Sequence, residues 1–303
     1  MIINQASLDA LRVDFKLSFD QGYSRTEPWY TKIASEIPSG ARANVYGWIA
    51  QQLKMREWIG PRVAQNLSEH SYTLANKEFE GTVQVFRPDI RDDNLGIYSS
   101  QLMPQLGEAA KKHFDTLISA LLVANPLAFD GLSMFNTAHL TYNGAGTYSN
   151  DFTTAPLNAA NFNAAWAAMA SYVGEDGLPL NVSPNLIVVP PQLKLAALQI
   201  LQSTTIVAAG PGSTFGSVDN QLKGWAEVLV IEELASAPTV WYLLDTSKGI
   251  KPFIAQSREE PQFVSRDNPA DPEVFNNNNL TYGVNCSRNV GVSLPFLATR
   301  NAA

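Results

Sequence analysis

Small and apolar residues recur at every second position from Phe79 through Gly81 and Val83 to Val85, alternating with Glu80, Thr82, Gln84 and Phe86. That period of two predicts a strand with one buried face. Pro88 closes the run, because it cannot donate to a ladder and restricts the residue before it. A turn-like cluster, Asp89 to Asn94, leads into a different period. Leu106, Ala110, Phe114, Leu117 and Leu121 recur three and four residues apart, which is one face of a helix. Glu108, Lys111, Lys112 and Asp115 fall between them and are expected to face outward. The helix starts near Asn94 or at Pro104, giving a length of about 45 Å or about 30 Å at 1.5 Å per residue. Asn125-Pro126 ends it. Nothing in this stretch looks catalytic; it reads as a beam with an arm attached.

The same reading carries along the chain. Leu8, Leu11, Phe15 and Phe19 predict a helix in an N-terminal arm, with Ser7 as its N-cap. Residues 44–60 are unusually aromatic, which fits a core or an interface, where Trp, Tyr and Met are enriched. Arg62 to Tyr72 and Phe79 to Phe86 read as two strands around the polar Asn76-Lys77-Glu78, hence a long hairpin at residues 60–90. An isolated hairpin is marginal in water, so this one needs a surface to lie on. Residues 130–156 are loop-like. Phe162, Trp166, Met169 and Val173 mark a helix over 158–173, and Leu186 to Val189 a buried strand. Pro191 opens a helix to Gln202, and residues 203–224 form a Gly- and Ser-rich loop. Strands follow at 226–231 and 239–244, so residues 157–245 read as a compact α+β domain. The tail returns to strands at 250–255, 262–265 and 279–294, with Asn276 to Asn279 as a turn.

Charge narrows the partners. The net charge is −7, which argues against tight phosphate-driven binding to nucleic acid. Residues 1–125 carry 13 basic and 14 acidic side chains, and the remainder 8 and 14, so the acidity is concentrated in the C-terminal part. Cys286 is the one cysteine, which excludes an intrachain disulfide and suits a reducing compartment. With no signal-peptide pattern and no membrane-length apolar run, the chain reads as a soluble protein made in a cytoplasm.

No catalytic constellation emerges. His70, His113 and His139 have no metal-ligand spacing. Gly131-Leu-Ser133-Met-Phe135 begins like a nucleophile elbow, but Phe135 takes the last glycine position and no strand precedes it. Gly210 to Gly216 has the glycines of a phosphate cradle without the lysine. Glu232-Glu233 and Glu259-Glu260 are adjacent pairs, which on a strand point to opposite faces. The expectation is a non-enzyme with no cofactor and no metal.

In order along the chain, several stretches carry a resemblance: Asn44-Val-Tyr-Gly-Trp48, Glu57-Trp-Ile-Gly60, Tyr72-Thr-Leu-Ala-Asn-Lys-Glu-Phe-Glu-Gly-Thr-Val83 and Asp92-Asp-Asn-Leu-Gly-Ile-Tyr98. Phe129-Asp-Gly131, Phe135-Asn-Thr-Ala-His139, Leu186-Ile-Val-Val-Pro190, Tyr242-Leu-Leu-Asp245, Lys251-Pro-Phe253, Asp271-Pro-Glu-Val-Phe275 and Tyr282-Gly283 continue it. Together they resemble the major head subunit of Mu-like tailed bacteriophages. Ser293-Leu-Pro-Phe-Leu297 departs from the Gly-aromatic-Trp ending associated with that family.

The resemblance implies an α+β chain with the HK-97-like tailed-phage capsid fold. It divides the chain into an N-terminal arm (1–59), an extended hairpin loop (60–91), a peripheral domain with a spine helix (92–156), an axial domain (157–245) and returning strands of the peripheral domain (246–303). It implies a structural protein that forms hexamers and pentamers of an icosahedral head around double-stranded DNA, with a separate scaffolding protein and a portal as partners and no membrane. Asn76, Lys77, Glu78 and Phe79 at the hairpin tip, Trp58 and Arg62 before it, and Gly210 and Phe215 in the glycine-rich loop are the expected contacts between subunits. Some shells of this fold join Lys to Asn covalently, for which Lys77 and Asn276 to Asn279 are the candidates. Two other readings use the same residues differently: a protein-cargo shell of encapsulin type, and a hydrolase built on Ser133 and His139.

Overall fold

A computed structural model describes residues 5–49, 69–92, 96–140, 146–174, 178–207 and 217–303. Trp58, Arg62, Gly210 and Phe215 lie outside the described residues. The chain begins with helix α1 (Gln5–Arg25), the short α2 (Tyr30–Ile33), and strands β1 (Ala34–Pro38), β2 (Ala43–Ile49), β3 (Glu69–Ala75) and β4 (Lys77–Phe86). Helix α3 (Arg87–Asp92) and a π-helical turn (Tyr98–Leu102) lead into the long helix α4 (Met103–Ala124). Short strands β5 (His139–Leu140), β6 (Thr147–Tyr148) and β7 (Asp151–Phe152) precede helix α5 (Ala159–Ala170). Then come β8 (Leu186–Val189), α6 (Lys194–Leu201), β9 (Thr205–Val207), β10 (Ser217–Asp219), β11 (Glu227–Val230) and β12 (Trp241–Leu244). The chain closes with β13 (Phe253–Arg266), α7 (Pro272–Asn277), β14 (Asn279–Val292) and β15 (Ala298–Asn301).

Two sheets organise these elements. One has the order β1-β13-β14-β4, and the other β11-β8-β12-β15-β7. The first is built on the long β13–β14 hairpin, whose register breaks between Ser257 and Glu259 and again before Gln262. Those bulges explain why the sequence reads as two separate strands there. Helix α4 buries Met103, Ala110, Phe114, Ile118 and Leu122. Its C-terminal half joins a core with Phe253, Ala255 and Val292 of the first sheet and Leu186, Val188 and Tyr242 of the second. A second core lies on the other face of β8 and β12, under α5 and α6, around Phe162, Met169, Ile187 and Trp241.

The beam is close to its expectation and corrects it at both ends. Pro104 has no N–H for the carbonyl four residues back, and the chain meets this with the π-helical turn before it. Asn125 ends the helix at φ 49°, a left-handed conformation that Asn tolerates. Asp115, expected outward, is buried, and its carboxylate accepts from the backbone N–H of Tyr30 at 2.8 Å.

The hairpin is the main correction. β3 pairs antiparallel with β2, and β4 pairs antiparallel with β14, so no turn forms at Asn76-Lys77-Glu78. Alternation along β4 is as expected, with Val85 buried and Gln84 and Phe86 exposed. Local periodicity identified the strand, but a period of two carries no information about which strand it pairs with. Asn276 and Asn277, expected in a turn, end α7, and Asn278 takes the left-handed position after it at φ 53°.

Candidate assembly surfaces

The residues expected at a hairpin tip join the β2–β3 ribbon to β4, with Asn76 and Phe79 half-buried and Lys77 and Glu78 exposed. Asn76 sits between β3 and β4, and its Nδ2 donates to Ser39 Oγ and to the Ala41 carbonyl, each at 2.8 Å. Its Oδ1 accepts from Gln256 Nε2 at 2.6 Å. The amide thereby fastens the β2–β3 ribbon to β1 and β13. Lys77 lies opposite Arg288 in the β4–β14 ladder, and Glu78 accepts from the Ser287 hydroxyl at 2.7 Å. The Phe79 ring meets His113 edge-on at 4.4 Å. Lys77 and Asn279 stand at opposite ends of that ladder, so a bond between Lys77 and the Asn276 to Asn279 cluster would have to come from two subunits.

What the ribbon offers is its far end. β2 and β3 pair from Ala43↔Ala75 to Ile49↔Glu69, and the chain between them, residues 50–68, belongs to the undescribed part. At its near end Tyr46, Tyr72 and Leu74 pack on Ile254, Phe129 and Leu294, while Val45 is exposed.

Helix α1 lies directly on α4. A Cβ on Gly107 would sit 2.2 Å from the Phe19 carbonyl oxygen, and one on Gly22 would sit 2.2 Å from the Pro104 carbonyl oxygen. Only glycine allows backbones this close. Phe15 and Phe19 fill the space towards Tyr282 and Phe263, and Arg25 Nη2 pairs with Glu108 at 2.6 Å. The arm's first helix thus packs on its own subunit.

Beyond the crossing, a half-open cavity of about 180 Å³ lies between β4, β14 and α4. Phe79, Leu106, Val284, Cys286 and His113 line it. Behind its wall is Arg288, buried, with Nη1 3.5 Å from the Ala110 carbonyl and its Cζ 4.6 Å from the Phe114 ring centre. Arg288 Nε and Nη2 and His113 Nδ1 have no hydrogen-bond partner among the described residues. Burial, and secondarily the Arg288 cation, push the His113 pKa down to about 4.

The 129–139 stretch forms a buried polar node. His139 Nδ1 lies 2.6 Å from Asp130 Oδ2, and Nε2 lies 3.2 Å from the Met134 carbonyl. Burial raises the Asp130 pKa, but its hydrogen bonds from His139 and the Leu132 N–H outweigh that and hold it low. Asn150, fully buried, donates to the Met134 and Pro295 carbonyls at 2.8 and 2.9 Å and accepts from Asn136 N–H at 2.7 Å. Both ring nitrogens of His139 are thereby occupied by groups other than Ser133. Among the described residues no group of three or more His, Cys, Asp and Glu side chains could hold a metal ion, and no helix is long and apolar enough to cross a membrane. The unusual ending is also accommodated. Leu297 is buried, β15 pairs with β12 and β7, and Arg300 grips Asp151 through two bonds of 2.9 and 2.6 Å.

Comparison with known proteins gives this arrangement its context. The profile of the Mu-like prophage major head subunit gpT matches residues 8–156, 152–234 and 232–303. The major capsid protein of Escherichia phage Mu is 28% identical over 294 residues, which is 96% of this chain and 72% of that protein. The Mu-like prophage FluMu major head subunit of Haemophilus influenzae is 28% identical over 284 residues, covering 93% and 68%. Among solved structures, the procapsid of bacteriophage JBD30 superposes with a TM-score of 0.59 at 31% identity, covering 99% of this chain and 76% of that one. A virus-like particle from Pyrococcus furiosus reaches 0.55 at 9% identity, a likeness of fold alone. The α+β architecture is therefore that of the HK97-like phage capsids, and the chain belongs to the Mu-like prophage major head subunit gpT family.

Proposed function

We propose that this chain is the major capsid subunit of a Mu-like phage head, a structural protein that assembles with copies of itself into hexamers and pentamers of an icosahedral shell enclosing double-stranded DNA. The observation that carries the reading is the match of the head-subunit family along residues 8–303, over a fold shared with phage capsids. The physics of the chain supports it. The β2–β3 ribbon is a two-stranded element, marginal alone, and it leads into residues 50–68, where Trp58 and Arg62 lie. In this reading those residues reach a neighbouring subunit, and many modest contacts of that kind add up in a closed shell. Gly210 and Phe215 belong to the loop nearest a ring axis. The net charge of −7 suits a container that holds DNA without gripping it. A separate scaffolding protein and a portal are the expected partners, with assembly in the host cytoplasm and the virion as the final location. The chain acts without catalysis and without a cofactor.

Electron microscopy of the purified protein across concentration and salt tests this. Closed shells or capsomer rings are expected. Monomers under every condition would overturn it.

A further inference from the structure

Two features of the described residues have no use within one subunit. The first is the cavity between β4, β14 and α4, apolar at its mouth and backed by the orphaned N–H groups of Arg288. An apolar cavity of ~150 Å³ accepts a benzene ring, so about 180 Å³ accommodates a phenyl group. The second is Phe275 on α7, the most exposed of the large apolar side chains at 80%. Single exposed apolar residues are ordinary, but this one sits in a segment of one charge sign. From Asp267 to Ser287 there is no Lys or Arg, and Asp271 and Glu273 precede Phe275; Asp267 is buried and faces Arg12 at 3.8 Å within the subunit. The cavity surroundings carry both signs, with Glu260 and Glu78 acting on Cys286, but cations gather on one side of it. Arg288 lies behind its wall, Lys77 faces Arg288 across the ladder, and Lys112 precedes His113 on α4. Glu80 is the only acidic lining residue, and its carboxylate accepts from the Thr82 hydroxyl.

Phe275 cannot reach the cavity of its own subunit. It lies four residues before Asn279, where β14 begins, and Val284 and Cys286 are five and seven residues further along β14, roughly 17 and 23 Å at 3.3 Å per residue. β14 is held on both sides by β13 and β4. We propose that Phe275 of one subunit enters this cavity in a second copy of the chain, with the acidic approach to α7 facing Arg288 and its neighbouring lysines. The phenyl ring covers the apolar lining that one subunit leaves open, and the acidic segment offsets a buried cation that is costly when unpaired. Such a contact is head-to-tail. Each subunit presents one knob and one hole, which closes rings or extends a lattice rather than stopping at a dimer. The inference rests on the assembly reading above.

Cys286 lines the hole and is the only cysteine, so it reports directly. Subunits carrying Phe275→Cys, mixed as one part in five with wild type, are assembled and treated with a short bis-maleimide. Covalent dimers are expected in shells, absent from unassembled subunits and absent when both the doped and the host subunits carry Cys286→Ser. Leu195→Cys, at a position 68% exposed but on α6, should give no such product. A second variant, Phe275→Ser alone, should stay folded and assemble at least tenfold more slowly. Shells that contain Phe275→Cys subunits without the dimer, or that give it equally with Leu195→Cys, overturn this contact. A wild-type protein that forms no shells overturns the assembly reading itself.

Discussion

Gly107 shows how much a single missing carbon decides. It lies inside α4, where glycine costs roughly 1 kcal/mol relative to alanine, so its presence needs a reason. The reason is α1: a Cβ there would collide with the Phe19 carbonyl, which as backbone cannot swing away. Gly107→Ala should therefore push α1 off the beam and lower stability by about 1–3 kcal/mol, read as a loss of thermal stability with α4 still helical. Asp115 and His113, two residues apart on the same helix, make opposite demands on pH. Burial raises the Asp115 pKa to about 6, against backbone N–H bonds from Tyr30 and Trp29 that lower it. Its stabilising protonation is complete below the ordinary value of 3.8 and is lost as pH rises through about 6. His113 is held down at about 4, so its contribution is present above 6.5 and is lost as pH falls through about 4. Thermal melts of Asp115→Asn and wild type between pH 4 and pH 6.5 separate the two. The variant keeps an acceptor for Tyr30, so its advantage over wild type should grow as pH rises across that window. A constant difference would mean that Asp115 is charged in the fold throughout.

Elements were legible in the sequence wherever one residue set dictates them. The period of two along β4, the helical stripe of α4 and the β-branched run of β8 all appear where the pattern places them. Pairing was not legible, because Asn76-Lys77-Glu78 has the composition of a turn whether the chain folds back or crosses between two sheets. The side chains that decide it, Ser39 and Gln256, lie 37 and 180 residues from Asn76. The candidate site suffered the same way. In sequence Asn150 looks like an ordinary loop residue and Arg288 like an ordinary strand residue, and their roles exist only once remote carbonyls and rings surround them. Gly107 was the one available signal, a glycine inside a strong helical stripe. Asn76→Ala gives the element-scale test. It leaves the Gln256 amide and the Ser39 hydroxyl short of a partner, at a cost of about 1–3 kcal/mol. Hydrogen exchange should show lost protection in β2 and β3 while α4 and β14 remain protected. Loss across the whole chain would mean that the ribbon is part of the central core. His139→Ala makes the contrasting case. It removes the ring partner of Asp130 inside the node, while the Met134 carbonyl keeps Asn150, so its cost, about 1–3 kcal/mol, should appear as a lower midpoint of global unfolding.

The whole molecule combines a well-buried body with extensions that have no counterpart in it. α4 joins the cores of both sheets, and Tyr242, whose hydroxyl lies 3.4 Å from the Leu122 carbonyl, connects the second sheet to the beam. That body packs most of its own apolar side chains, so folding and assembly can be tested apart. The β2–β3 ribbon is where they separate. Its near end is sealed to β1 and β13 by Asn76, and its far end passes into residues 50–68. Replacing residues 50–68 with a two-residue Asn-Gly turn, which suits a tight antiparallel connection, would leave every pairing from Ala43↔Ala75 to Ile49↔Glu69 in place. If the segment serves the neighbour and not the subunit, the shortened chain should unfold within a few degrees of wild type and remain monomeric or stop at small oligomers. A shortened chain that still closes shells would remove residues 50–68 from the assembly contacts, and one that fails to fold would place them in the core of the subunit. The cavity contact gives a second extension with the same logic, since Phe275→Ser removes a side chain that is 80% exposed in the isolated subunit. A variant that loses assembly and keeps its melting temperature in both cases would locate the shell-forming energy in surfaces that one subunit alone leaves exposed.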